Sequence, residues 1–384
     1  MVDSVGLLSV ASALPERLLE NEHWRRHHPE LVAQAEQKIW MWKRPTDFTE
    51  GSALFNLEME PYLRDPFRGT RQRRVLAAGE KVLDLEVAAA REALAAAKIL
   101  PGEIELLISS ALLSDQPGIG SAAFLAQALG LEGAAWNLES ACASTVLALE
   151  TATALVRAGQ YRKILVVTSC AYSRATREDD PIAWGVGDAA TAMVIGTVEE
   201  GHGLLGTYSV NSAETNPAVA YQVELDELGK PYLRMRTGRA AAQLLRDTSE
   251  DFLHRCVAGA LVQSGVELGE IDHFVFNTPL AWYASFCAKS LQVDPARTLS
   301  IYPLYANVGP CLPGLTLHHA AQWQEYRKGD LVLVYSVGSV SSCAAAVFRW
   351  GDVALGRLPE GASLDLLRKL ESEASMASPS LQLA

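Results

Sequence analysis

No pair among the six cysteines of this chain has CxxC spacing, and no cysteine–histidine cluster resembles a zinc site. That removes the common metal-ribbon and dithiol redox classes. The one local histidine pair, His318-His319, sits at adjacent positions. Adjacent side chains on a helix point about 100° apart, so the pair reads as structural. No apolar run reaches the length of a membrane span. The first residues, Met1 to Leu8, lack the basic segment and long apolar stretch of a signal peptide and read as a first strand. Basic charge is in deficit, 33 Lys and Arg against 45 Asp and Glu, for a net charge of −12. That argues against nucleic acid and anionic membrane surfaces as partners. Scattered thiols in an acidic chain point to a reducing, cytoplasmic setting.

What is present reads as a globular α/β protein. Of the 384 residues, 49% are hydrophobic and 20% charged, enough for two domains or one large unit built from two halves. Residues 4–12 form a first strand, and residues 16–60 are mixed, polar and Trp-bearing (Trp24, Trp40, Trp42), with the tryptophans assigned to packing. Helical spacing from Lys81 to Lys98 is closed by Pro101-Gly102, and buried-strand runs follow at Ile104–Leu113 and Lys163–Thr168. Helices are expected at 120–129 and 143–157, and strands at 134–138 and from Gly187 to Gly196. After Gly201 the series repeats: strand 203–210, helix 238–264, strand 273–277, helices 281–291 and 313–326, strands 331–336 and 343–349. Alternation implies a mainly parallel, covered sheet, and the repeated order implies duplication with a boundary near residue 200. The tail after Gly351 holds one amphipathic stretch, Leu364 to Leu370, before a Ser/Ala-rich end expected to be disordered.

Chemistry concentrates at Asn137-Leu138-Glu139-Ser140-Ala141-Cys142-Ala143-Ser144-Thr145, between a strand and a long helix. A cysteine at a helix start meets unpaired N–H groups and the positive end of the macrodipole, both of which favour the thiolate. The bland alternative is a buried core cysteine.

Four stretches then agree. Gly69-Thr70-Arg71-Gln72-Arg73-Arg74 is a basic loop, and Ser140 to Ser144 carries the cysteine. Gly187-Asp188-Ala189-Ala190-Thr191-Ala192 is a turn into a strand. Tyr305-Ala306-Asn307-Val308-Gly309 is followed by Gly338-Ser339 and Phe348-Arg349-Trp350. In this order and spacing the chain resembles the beta-ketoacyl-ACP synthase III branch of the thiolase superfamily, over roughly residues 4–350. The resemblance implies a thiolase-like fold: two similar αβαβα halves in one five-layered unit, divided as 1–200, 201–350 and a tail 351–384. It implies a homodimer with no permanently bound cofactor, working on CoA or phosphopantetheine thioesters.

Carried over residue by residue, the nucleophile is Cys142 and the site's Asn is Asn307. The oxyanion hole is formed by the backbone N–H of Cys142 and of Val340, which stands where the family has glycine. Gly69 to Arg74 matches the segment near the CoA entrance, where Arg68 and Arg71 are candidates to bind the CoA phosphates because guanidinium forks suit phosphate oxygens. Ile119 aligns near the position that reaches across the dimer and limits acyl length. Asp188 reads as fixing its turn. Trp282 stands in place of the basic residue often used for carrier docking, and Pro279 stiffens the loop behind Asn277.

The family's catalytic His position falls on Asn277, in Asn277-Thr278-Pro279. His273 lies about 13 Å away along an extended strand and cannot substitute. Decarboxylation of a malonyl thioester needs two donors to the developing oxyanion, which Asn277 and Asn307 can supply. Acyl transfer to an alcohol or amine benefits from a general base, and an amide is none. Without an imidazole, the Cys142 pKa should be depressed less than in His-bearing relatives, and self-acylation should be slow.

The leading reading is a condensing enzyme that loads an acyl group on Cys142 and joins it to a malonyl-type thioester, in lipid or polyketide metabolism. The alternatives are a non-condensing acyltransferase to a thiol, hydroxyl or amine, and a catalytically silent subunit of a heterodimer.

Overall fold

The computed structural model describes residues 4–41, 52–226, 228–238, 240–339 and 341–376. The chain opens with β1 (Val5–Ala13) and β2 (Leu18–Glu20). Three helices follow, α1 (Asn21–His27), α2 (Pro29–Met41) and α3 (Ala53–Met59), then β3 (Gln72–Arg74). Next come α4 (Val82–Ala96), β4 (Leu106–Leu112), α5 (Ala122–Leu129), β5 (Ala134–Asn137), α6 (Ser144–Arg157), β6 (Lys163–Ala171) and β7 (Asp188–Thr197). The second series runs β8 (Gly203–Asn211), β9 (Val219–Leu225), β10 (Pro231–Thr237), α7 (Ala241–Ser264), β11 (His273–Phe276) and α8 (Tyr283–Ser290). It ends with α9 (Tyr302–Tyr305), α10 (Leu312–Trp323), β12 (Leu331–Val337) and β13 (Ser342–Arg349), before β14 (Ala354–Leu355) and α11 (Leu364–Met376).

Two sheets carry these elements, ordered β14-β1-β7-β6-β4-β5 and β11-β12-β13-β8. Their pairings match step for step. In the first, β4 is parallel to β6, β6 antiparallel to β7, and β7 antiparallel to β1. In the second, β11 is parallel to β12, β12 antiparallel to β13, and β13 antiparallel to β8. One sequence plan has therefore folded twice.

Packing makes five layers. Helices α4 and α5 bury Ala89, Ala90, Ala93, Leu94 and Leu125 on one face of the first sheet. On its other face, α6 places Val146, Leu149 and Ala152, and α10 places Leu317 and Ala321, against residues of both sheets at once. Helices α7 and α8 cover the far side of the second sheet with Phe252, Val257, Tyr283 and Phe286. Strands buried on both faces read as continuous apolar runs, which is why β4, β6 and β12 are plain in the sequence. Helix α4 begins where the Asp115 carboxylate accepts the N–H groups of Val82 and Leu83, and α5 and α7 stop at left-handed Gly130 and Gly265.

Residues 16–60 hold α1 to α3 rather than an aperiodic segment. Trp24 is buried, donates its indole N–H to Glu178 O and lies under the Arg73 guanidinium, 4.4 Å from its ring centre. Trp42 and the side chain of Trp40 lie outside the described residues. The hairpin β9–β10 is a further element that the sequence reading left unassigned. The tail contributes β14, parallel to β1, and an α11 that reaches Met376.

Candidate active site

Cys142 sits in a single 3-10 turn, Ala141–Ala143, that leads directly into α6. Of the six free cysteines it alone is partly exposed, and the other five are buried. The turn is held from three sides. Ser336 Oγ on β12 donates to Cys142 O at 2.6 Å, Ser144 Oγ caps Ala141 O at 2.7 Å, and Ser140 N donates to Ser144 Oγ at 2.8 Å. Ala141 takes a left-handed φ of 48°, a conformation that costs a non-glycine residue about 1–3 kcal/mol and is retained where the surroundings fix it. The second half of the chain thus grips the Cys142 turn of the first.

The same device recurs at Asn307. Ala306, with φ 58° and ψ −156°, occupies backbone space that belongs to glycine, and Asn307 follows it. Asn307 N donates to Gly185 O, and Gly187 N donates to Asn307 O, both at 3.0 Å, so the loop crosses from one half to the other. Thr145 Oγ1 of α6 ties down the next turn by donating to Pro310 O at 2.6 Å.

Both carboxamides meet at Gly309. Asn307 Oδ1 accepts from Gly309 N at 2.8 Å, which turns its N–H2 end the other way. Asn277, fully buried at the end of β11, directs Nδ2 toward Gly309 O at a long 3.5 Å, and its Oδ1 has no partner. A buried acceptor left unpaired costs about 1–3 kcal/mol, the mark of a group built to meet something else. Gly309 itself has φ 56°, and a Cβ there would lie 3.0 Å from Cys170 Sγ and 3.1 Å from Tyr172 Oη. Tyr172 Oη lies 3.9 Å from Cys142 Sγ. Cys142, Asn277 and Asn307 therefore converge through Gly309 and Tyr172.

The sulfur's electrostatics reverse the expectation of a helix-stabilised thiolate. Burial, with Glu139 adding negative charge, pushes the Cys142 thiol up to about 11, and only Tyr172 pulls it down. Glu139 occupies the helix entrance itself, where its carboxylate accepts from Ser144 Oγ at 3.0 Å. Burial raises the Glu139 carboxyl itself, and any charge it carries opposes the pull of the N-terminus on the sulfur. That direction favours the neutral thiol over the thiolate at Cys142.

Other sequence candidates are distributed around this centre. Val340 lies outside the described residues. Beside it, Gly338 packs so tightly that a Cβ would sit 3.1 Å from Ala143 N, and its carbonyl accepts from Ser212 Oγ. Arg68 has φ 51° and donates to Tyr62 O at 3.3 Å. Arg71 pairs with Asp65 at 3.2 Å and lines a surface cleft with Asn21, Arg25, Tyr62 and Lys289. Arg73 and Arg74 are committed to backbone carbonyls, Arg73 to Trp184 O and Leu19 O, Arg74 to Glu16 O and Glu360 O. Ile119 is 64% exposed, on a loop fastened by Asn137 Nδ2 to Ile119 O at 2.7 Å. His273 stacks on Tyr326 and pairs with Asp330 at 3.1 Å, at the opposite end of β11 from Asn277. His318 and His319 are buried and hydrogen-bonded to Ser12, Gly356, Tyr305 and Leu315. Asp188 takes the N–H groups of Leu76 and Ser173, fixing the turn into β7. Trp282 is buried against Phe55 and Tyr62, with no surface for docking. Among the described residues no group of three or more Asp, Glu, His or Cys side chains has a metal-binding arrangement.

Two further residues belong to this centre. Tyr172 follows β6, and Tyr221, on β9, lies close enough to act electrostatically on Tyr172 and Cys142. The signal for Tyr172 is position: ligands in open α/β sheets bind beyond the carboxyl ends of the strands.

Comparison with known proteins places the fold and the family. The chain matches the family model for 3-oxoacyl-[acyl-carrier-protein (ACP)] synthase III over residues 136–212 and that for its C-terminal part over 261–350. The beta-ketoacyl-[acyl-carrier-protein] synthase III of Bordetella petrii is 30% identical over 292 residues, covering 74% of this chain and 84% of that protein. The chain belongs to the beta-ketoacyl-ACP synthase III family. Among solved structures, the Pseudomonas aeruginosa synthase III superposes with a TM-score of 0.72 at 20% identity, covering 91% of this chain and 98% of that one. A Cys→Ser variant of Xanthomonas campestris OleA with bound lauric acid and lauroyl-CoA superposes with a TM-score of 0.73 at 19% identity, covering 91% and 100%. Both carry the same five-layered, thiolase-like fold.

Proposed function

We propose that this synthase III-family acyltransferase takes an acyl group from a CoA or carrier-protein thioester onto Cys142 and condenses it with a malonyl-type thioester. The reading is carried by one arrangement: a partly exposed cysteine at a helix mouth, with two carboxamides meeting beside it at Gly309. Acylation forms the Cys142 Sγ–acyl bond and releases the donor thiol, to which the cysteine proton passes. The second thioester then loses CO₂, and the enolate oxygen is held by amide donors from Asn307 and Asn277. The resulting carbanion attacks the acyl carbonyl and frees Cys142. Asn307 supplies a donor already oriented by its bond from Gly309, and a half-turn of the Asn277 side chain exchanges its unpaired oxygen for N–H. No step removes a carbon-bound proton, which suits a site with two amides and no imidazole. The backbone N–H groups of Cys142 and Val340 serve the acyl carbonyl, and Arg68 and Arg71 serve the thioester's phosphates.

In this reading two copies associate through the unpaired edge of β5, with Ile119 reaching toward the neighbouring site. The chain divides functionally at about residue 200, and six free thiols fit a cytoplasmic setting. Release of labelled CO₂ from carboxyl-labelled malonyl thioester tests the condensation. Release that depends on prior acyl loading and disappears in Cys142→Ala is expected. Acyl transfer to other acceptors without CO₂ release contradicts it.

A further inference from the structure

We propose that Tyr172 is a catalytic residue of this chain, its hydroxyl donating a hydrogen bond to Cys142 Sγ while the sulfur carries charge in the acylation step. The inference deepens the acyl-thioester reading and rests on it. Tyr172 is 6% exposed, and a buried phenol requires partners. The partner described for its hydroxyl is Cys142 Sγ at 3.9 Å, a group of the site and not a backbone carbonyl. The hydroxyl has room because Gly309 lacks a side chain: a Cβ there would come within 3.1 Å of it. The residue that orients both carboxamides is thus the one that admits the phenol.

The groups coupled to the sulfur are Glu139 from its own segment, Tyr172 and Cys170 from β6 and its end, Tyr221 from β9, Cys311 ahead of α10, and Cys343 from β13. All are neutral or anionic, and Tyr172 is the one that favours a charged sulfur. Its own proton is held firmly, since burial pushes the phenol well above its ordinary range. It therefore donates without being lost. In the step itself the Sγ–H bond breaks, Sγ bonds to the acyl carbon, the carbon–sulfur bond to the donor breaks, and the proton ends on the departing thiol. Tyr172 keeps its proton throughout. A hydrogen bond to sulfur spans a longer distance than one to oxygen, and this one shortens as charge develops on Sγ.

The test is the pH profile of Cys142 alkylation by iodoacetamide, followed by intact mass on the full chain. Because the other five cysteines are buried, one adduct is expected. Hydrogen bonds to a charged group are the strong class. Tyr172→Phe should therefore slow alkylation at pH 8 by about ten-fold and displace the profile upward by about one pH unit. Replacing Tyr172 with 3-fluorotyrosine, a stronger donor of nearly the same shape, should displace it downward, which no loss of folding reproduces. An unmoved profile in both variants overturns the proposal. Acyl uptake from an acyl-CoA is scored in parallel. Uptake by wild type with an unmoved profile removes only the tyrosine role. No uptake by wild type removes the acylation reading on which the proposal rests.

Discussion

Asn277 holds the position where a base would make the chemistry general. An imidazole there would take a proton from the thiol and give one to an oxyanion, whereas a carboxamide does only the second. With Asn277 Nδ2 at 3.5 Å from Gly309 O, and with the Cys142 thiol pushed up to about 11 by burial and Glu139, acylation is expected to be the slow half of the proposed reaction. Asn277→His is expected to raise the alkylation rate of Cys142 at pH 8 by at least about ten-fold and to lower the apparent thiol pKa. The pH profile of that variant beside wild type is the check, and an unchanged profile means that position 277 does not act on the sulfur. Cys142, Asn277 and Asn307 were candidates in the sequence from motif and spacing, and their proposed roles rest on that resemblance together with the contacts at Gly309. The state of the thiol was not legible there, because the helix entrance that favours a thiolate is shared with Glu139, and only the fold shows where that carboxylate turns. Tyr172 was hidden for a different reason: one aromatic residue past a strand carries no pattern of its own.

At the level of elements, α4 carries an unusual load. Glu86 is fully buried between this helix and β6, accepts from Ser169 Oγ at 2.6 Å, and leaves Oε2 without a partner. Burial pushes its carboxyl up to about 7, with the hydrogen bond from Ser169 opposing and Asp115 adding to the shift. The folded pKa lies above the unfolded one, so the folded state holds a proton that the unfolded chain releases above about pH 4.5. Stability from this group is complete below that value and declines as pH rises through about 7. Glu86→Gln, which stays neutral, should therefore gain on wild type by roughly 2 kcal/mol between pH 5 and pH 8. Urea unfolding of both proteins at the two pH values measures this, and a difference independent of pH contradicts it.

Elements were recoverable from sequence where burial imposed a period. Apolar runs gave β4, β6, β11, β12 and β13, and Ala/Leu spacing gave α4 and α6. The hairpin β9–β10 escaped because its two faces disagree. Val219, Tyr221, Val223 and Leu225 alternate with Ala220, Gln222 and Glu224, and Glu224 pairs with Arg234 and Arg236 on β10. Alternation of period two is present in the letters but short, and no long apolar run announces it. Helices α1 to α3 escaped because charged and aromatic residues share their faces, as where Glu58 of α3 binds Ser285 and Lys289 of α8.

For the whole molecule, duplication explains why the site lies where it does. Each half brings one central helix, α6 or α10, to the space between the sheets. Cys142 stands at the entrance of the first, and Asn307 in the loop before the second. Either half alone lacks the other's partners, since Ser336, Gly309 and Asn277 come from the second and Cys142 and Tyr172 from the first. The proposed pairing of two copies across β5 predicts a dimer mass in sedimentation, converted toward monomer by Ile119→Asp, and a monomer mass for wild type contradicts it. The most direct measurement concerns the sulfur. After incubation with an acyl-CoA, the intact mass of wild type should rise by one acyl group while Cys142→Ala gains nothing. No adduct on wild type, or the same adduct on both, contradicts the assignment of Cys142 as the group that carries the acyl chain.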